Sequence, residues 1–215
     1  MESEKKLDFE EKLNGISHGI AAAISFIGLL ILAYYGAIDN RKWSFITALI
    51  FGISLVFTYS ASMLYHLKSH KPWVGYRVID HISIFILIAG TYSPILLIHI
   101  KGDWGINIFI LQWTLAILGI CLKLFFTGKV DLLFVLMYLV MGSIIVLKID
   151  DLLISLPHIA FILMVVGGLA YSIGIIFYII DKKMKYAHLI WHLFVIVGSV
   201  SHYLLITVFI LCYQT

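Results

Sequence analysis

Apolar residues in this chain run in long blocks, with neither the alternation of a half-buried strand nor the narrow stripe of a surface helix. Seven charge-poor runs stand out: Ser17–Gly36, Trp43–Tyr65, Val78–Ile98, Gly105–Phe126, Val130–Leu147, Ser155–Ile180 and Ala187–Tyr213. A helix needs about 20 apolar residues to cross a hydrocarbon core of about 30 Å, and it satisfies its own backbone where no water is present. The separators are short and carry charge or turn signals: Asp39-Asn40-Arg41-Lys42, Lys68–Arg77 with Pro72 and Gly75, Lys101-Gly102-Asp103, Thr127-Gly128-Lys129, Asp150-Asp151 and Asp181–Lys185. The pattern predicts an all-α integral membrane protein, a bundle of seven transmembrane helices over residues 17–213, with no soluble domain and no long linker. Residues 1–16 are a mixed-charge stretch without the basic start and small-residue cleavage site of a signal peptide, so the first span is expected to be retained. Within them Asp8–Gly15 reads either as a short amphipathic helix on the membrane surface, anchored by Leu7 and Phe9, or as a polar tail.

Composition narrows the classes. Of 215 residues, 62% are hydrophobic and 13% charged, which leaves too little polar surface to coat a water-exposed globule and too much apolar surface for a disordered chain. Two cysteines cannot staple a fold. The net charge of +3 comes from Lys and Arg scattered over the separators, with no basic stripe, so nucleic acid is not an expected partner. Placing the N-terminus in the cytoplasm and the C-terminus outside puts eleven Lys and Arg on the cytoplasmic side and four, Arg41, Lys42, Lys101 and Lys148, on the other, as the positive-inside rule requires. Cys121 and Cys212 then lie near opposite faces, too far apart for a disulfide, and are expected to be buried small apolar residues.

Ionisable groups inside a bilayer cost free energy unless paired, so each is a functional candidate. Ser62 and His66 lie four apart at the end of the second span, Asp80 and His81 open the third, and His188 and His192 lie four apart at the start of the seventh. An even span ends on the side where an odd one begins, so His66, Asp80, His188 and His192 are expected at one depth, near the cytoplasmic face. Imidazoles at i and i+4 project side by side, and a third from a neighbouring helix completes three corners of a tetrahedron. Zinc suits three neutral nitrogens plus water, and lowers the pKa of that water towards about 7. Asp80 is then the anion at that level, placed to orient the water or take its proton.

The remaining polar residues have simpler expected roles. His18 begins the first span, close enough in depth to approach the site. His70 falls in a separator, and His99 and His158 near the outer ends. His202 is rotated off the His188/His192 face and is expected to bond a neighbouring helix, whereas Ser199 and Thr91 return to the faces of His192 and Asp80 and are candidates to line a cavity. Ser62, one turn from His66, either orients that ring, binds a developing oxyanion or serves helix packing. Trp43, Trp73, Trp104 and Tyr213 fall at span ends as interfacial anchors, Pro94 is expected to kink the third helix, and Gly19, Gly167, Gly168 and Gly174 suit close helix approach. The Glu that follows the first histidine of helix-borne zinc proteases is absent, because Leu189, Ile190 and Trp191 separate His188 from His192.

Asn14-x-x-x-His18-Gly19, Ser62-x-x-x-His66, Asp80-His81 followed by Ala89-Gly90-Thr91-Tyr92-Ser93-Pro94, and His188-x-x-Trp191-His192 together resemble the bacterial hemolysin III family, within the progestin and adipoQ receptors that include the adiponectin receptors. The resemblance covers essentially the whole chain. It implies seven helices with a cytoplasmic N-terminus and zinc held by three histidines, which map onto His66, His188 and His192. It also implies an aspartate acting on zinc through water, which maps onto Asp80, and a serine, which maps onto Ser62. Adiponectin receptors are associated with hydrolysis of ceramide amides and bacterial relatives with membrane-fluidity homeostasis.

On this reading the chain is expected to be a zinc-dependent hydrolase of a lipid amide in a bacterial plasma (inner) membrane, with membrane lipids as partners and the substrate in the bundle interior. Asp80 and Ser62 are its expected catalytic pair. The rival readings are a receptor-like lipid or fluidity sensor with structural zinc, and a cytolysis-associated protein or pore; few charges outside the site and no evident inverted repeat weigh against the pore.

Overall fold

The structure is a computed structural model that describes residues 2–68, 74–126 and 131–212. Among these, seven helical stretches are long and apolar enough to cross a membrane, and no strand forms. Helix α1 spans Glu2–Ile38, α2 Ser44–Leu67 and α3 Val74–Pro94, which continues as a π-helical segment, Ile95–Ile100. Helix α4 spans Gly102–Phe126. Helix α5, Asp131–Ser143, passes through a 3-10 stretch, Ile144–Lys148, into the short α6, Ile149–Ser155. Helix α7 covers His158–Ile179, and α8, Ala187–Leu204, extends into a second π segment, Leu205–Cys212.

Helices α1 to α4 pack in sequence order, α7 pairs with α8, α8 closes against α1, and α5 bridges α3, α4 and α7. One core cluster joins α1, α2 and α8 through residues such as Leu32, Phe51, Leu55, Tyr59 and Leu205, and a smaller one joins α3, α4 and α5 through Phe85, Ala116 and Phe134. Facing outward are Ile24, Phe26, Leu30, Phe125, Ile154 and Leu169, all exposed. An apolar exterior of this extent is a lipid-facing surface. Small residues permit the close helix approach: a Cβ on Gly167 would lie 2.3 Å from the His202 ring, and one on Gly90 would lie 2.5 Å from the Ser54 hydroxyl. Gly168, by contrast, faces open space.

Several expectations need correction. Helix α1 crosses residue 16 without a break, so Asp8–Gly15 forms its early turns, neither a separate surface helix nor a loose tail. Those turns are tied into the bundle by polar contacts described below. The fifth span continues past Asp150 and Asp151, because two acids in the first turn of α6 complement the helix dipole and Asp151 pairs with Lys148 at 2.6 Å. The break falls instead at Leu156, which is extended ahead of Pro157 as a residue before proline prefers. Cys121 and Cys212 are free, as expected, but exposed; both lie on the outer faces of their helices. His70, Trp73, Tyr213 and the Thr127-Gly128-Lys129 separator lie outside the described residues. Pro94 marks the place where α3 widens into its π segment, since proline has no N–H to give the preceding turn. That segment closes at Lys101, φ 57°, and Gly102, φ 65°, where a left-handed pair reverses the chain into α4.

The end of the bundle opposite the histidines is locked by Asp39. Its buried carboxylate accepts from the Arg41 guanidinium at 2.5 and 2.9 Å and from the Ser44 hydroxyl at 2.7 Å, and Arg41 also donates to the carbonyl of Ile210 in the second π segment. Burial pushes the Asp39 carboxyl up, but the bonds from Arg41 and Ser44 outweigh it and hold the group below the usual aspartate range. A carboxyl depressed in the folded state contributes stability above its unfolded value, near pH 4, and loses that contribution as pH falls through its folded value. Asp39→Asn is therefore expected to cost about 2 kcal/mol at neutral pH. Thermal unfolding in detergent is expected to show the gap between wild type and variant closing below about pH 4. A gap that stays constant down to pH 3 contradicts this account.

Candidate metal centre

At the end of the bundle where α2 finishes and α3 and α8 begin, three imidazoles meet. His66 comes from the last turn of α2, and His188 and His192 from the first two turns of α8. Each offers one ligand atom, and these atoms all lie within 4.8 Å of one another. The ring centroids are 4.9 to 5.0 Å apart in every pair, with the rings edge to face. His66 and His192 are almost fully buried, and His188 is 20% exposed.

The outward ring nitrogens are all engaged. His66 Nδ1 meets Glu11 Oε2 at 2.7 Å, His192 Nδ1 meets the Ser17 hydroxyl at 3.2 Å, and His188 Nδ1 meets Asp181 Oδ2 at 3.4 Å. The bond from His188 holds the Asp181 carboxyl below the usual range in spite of burial. On the inner side, His66 Nε2 is buried and has no hydrogen-bond partner. An orphaned imidazole nitrogen costs about 1–3 kcal/mol, so a buried one aimed at two other imidazoles fits a cation. An all-imidazole donor set of this size suits zinc.

Two of these rings, His188 and His192, line a cavity of about 280 Å³. Asp80 and Ser62 line the same cavity. Four of the five residues singled out in the sequence, Ser62, Asp80, His188 and His192, line one cavity, and His66 meets it through its ring contacts with His188 and His192. Apolar lining comes from Ile84 of α3, Val135 of α5, Ile175 of α7 and Val195 of α8, interspersed with polar side chains that include Tyr138, Tyr178, Arg77 and Lys182. Ser199 and Thr91 are absent from it. The Ser199 hydroxyl is paired with that of Tyr171 at 2.8 Å, and Thr91 bonds back to the Leu87 carbonyl of its own helix. His202 bonds the Met164 carbonyl of α7 at 3.3 Å, the cross-helix role expected of it. Trp43 and Trp104 fall at helix starts.

Three contributors from α1, Glu10, Glu11 and Ser17, were not assigned from sequence, and His18, read there as able to approach the site, does so. His18 stacks on His192 at 3.6 Å, nearly parallel, with both of its nitrogens buried and unpartnered. Glu11 and Ser17 hold metal-site rings. Glu10 accepts the backbone N–H of Tyr186 at 2.8 Å, just ahead of α8, where Tyr186 takes a left-handed conformation at φ 61°. The readable signal was periodic: Glu11, Asn14 and His18 recur at intervals of three and four, one face of a helix continuing into the first span.

A multi-pass membrane bundle with a buried three-histidine cluster capable of holding a metal ion is the class these features define. Residues 8–203 match the family model described as "Haemolysin-III related", and the chain belongs to that family. It is 40% identical over 193 residues to the "Hemolysin-3 homolog" of Bacillus subtilis (strain 168), covering 89% of this chain and 90% of that one. It is 36% identical over 204 residues to "Hemolysin-3" of Bacillus cereus, covering 94% and 92%. A more distant similarity, 26% over 204 residues, links it to the human "Monocyte to macrophage differentiation factor", with 91% and 82% covered, and supports the wider adiponectin-receptor-like superfamily.

Proposed function

We propose that this chain is a zinc-dependent membrane hydrolase of a long-chain lipid amide of ceramide type, placed in a bacterial inner membrane. The observation that carries the reading is the meeting of His66, His188 and His192 around an orphaned nitrogen, with two of the three rings lining a cavity that also holds a carboxylate. His66, His188 and His192 are the residues that would hold the ion. Bound there, zinc supplies Lewis acidity and lowers the pKa of adjacent water. Asp80 takes the proton of the water that attacks the amide carbon; as the C–N bond breaks, it returns that proton to the departing nitrogen. Ser62, on the same cavity lining, is the hydroxyl available to steady the Asp80 carboxylate.

The cavity volume supports a particular mode of binding. About 280 Å³ lies just under the range of typical small-molecule pockets, enough for the polar linkage and the first carbons of a lipid but not for its tails. The apolar walls of α3, α5 and α7 are where the chains continue. The Lys and Arg count supports a site near the cytoplasmic face.

Metal analysis of purified wild type beside His188→Ala, followed by assay of fatty-acid release from ceramide in mixed micelles, tests the reading. Roughly one zinc per chain in wild type, little in the variant, and product formed only by the former are expected. Zinc whose removal lowers stability alone, with no product from any sphingolipid, would favour a structural tie between α2 and α8 in a sensor; the histidines do come from those two helices. Absence of metal under metal-replete purification removes both readings.

A further inference from the structure

Two of the three imidazoles are held from outside by α1: one by Glu11, in a segment that sequence alone separates from the bundle, the other by Ser17, where the predicted first span begins. Resting on the reading of the cluster as a metal centre, we propose that Glu11 is a positioning residue of that centre: its carboxylate holds the His66 ring so that Nε2 faces His188 and His192. A carboxylate without a proton only accepts, so at 2.7 Å His66 Nδ1 is the donor and Nε2 keeps its lone pair. The same logic reaches His192. The Ser17 hydroxyl gives its one proton to the Asn14 carbonyl at 2.8 Å, so it accepts from His192 Nδ1 and leaves Nε2 of that ring free. Asp181 stands in the equivalent place for His188, at a longer 3.4 Å. Outer partners of this kind set the tautomer and direction of a ligand, and their loss typically weakens metal binding about 10–100-fold.

Glu11 is the member of this set with the shortest bond, and His66, its partner, is the ring whose inner nitrogen lacks any other contact. Neighbouring Glu10 seats the start of α8 through Tyr186, so adjacent acids on α1 reach α2 and α8, the two helices that carry the ligands. The N-terminal turns of α1 are therefore part of the site.

Competition for Zn(II) against a chromophoric chelator, using full-length wild type, Glu11→Ala, Glu11→Gln and His192→Ala in detergent, reads this directly. Glu11→Ala is expected to bind zinc about 10–100-fold more weakly than wild type and to alter the visible absorption of the Co(II)-loaded protein. Glu11→Gln, which keeps an acceptor oxygen, is expected to lose less. Melting of the metal-free Glu11→Ala protein should match metal-free wild type, which a purely structural role would not allow. Wild-type affinity within threefold in Glu11→Ala, with His192→Ala still unable to bind, overturns the positioning role and leaves the metal centre standing. Should Glu11→Ala fail to fold, Glu11→Gln decides: affinity equal to wild type overturns the role, and a loss of threefold or more supports it. A wild type that takes up no zinc overturns the metal centre itself, and the inference with it.

Discussion

Protein carrying His192→Ala is expected to emerge from purification without zinc, while wild type carries close to one ion per chain. Structural zinc in small peptides binds with about 10–16 kcal/mol, so one ligand of four is worth about 3 kcal/mol, or roughly a hundredfold in affinity. The effect at His192 should exceed that share. The ring is 1% exposed, stacks on His18 and bonds Ser17, so its removal also frees His18 to turn into the gap. Because deleting a buried imidazole also leaves a void, stability falls by a further 2–3 kcal/mol or so on cavity grounds alone. His202→Ala separates the two effects. That ring sits on the same helix, is also enclosed, and bonds only the Met164 carbonyl. The control variant should lose comparable stability and keep its metal, measured by mass spectrometry of the purified proteins. Zinc retained at full stoichiometry in His192→Ala would remove this residue from the ligand set.

Asp80→Asn should behave in the opposite way, keeping its zinc and losing turnover. The amide is nearly the same size as the carboxylate, so the cavity keeps its shape. What disappears is the capacity to take a proton from water and deliver it to the departing nitrogen. General acid–base groups contribute about 10²–10⁴ in rate, and a fall in kcat of that order is expected, with metal content unchanged. Ser62→Ala should do less, within about tenfold, since it removes one hydroxyl from the cavity lining and leaves the carboxylate in place. Hydrolysis by Asp80→Asn at the wild-type rate would assign proton transfer elsewhere, with His18 the nearest unpartnered group on the cavity lining.

Much of this molecule is written locally. Seven apolar runs become seven spans because length and hydrophobicity are properties of contiguous sequence. That His66 meets His188 and His192, and that Asp80 lines the same cavity as the latter two, follows from helix parity once the spans are counted. Errors arose where the outcome depends on what stands opposite a residue. Cys121 and Cys212 face outward because helix rotation is set by neighbours. Ser199 does lie on the His192 side of α8, but Tyr171 of α7 meets it first and takes up its hydroxyl.

The N-terminal turns make the same point from the other direction. In the sequence, Glu10 and Glu11 are two more charges in a polar stretch, because acidic residues are as common in solvated tails as in helices. Their meaning is supplied by His66, 55 positions later, and Tyr186, 176 positions later, and no local propensity carries information about partners so distant. Sequence by itself determined the class of protein, the count of spans and the histidines available to a metal. Tertiary structure decided which nitrogen of each ring looks inward, since tautomer and ring direction are set by hydrogen bonds between helices.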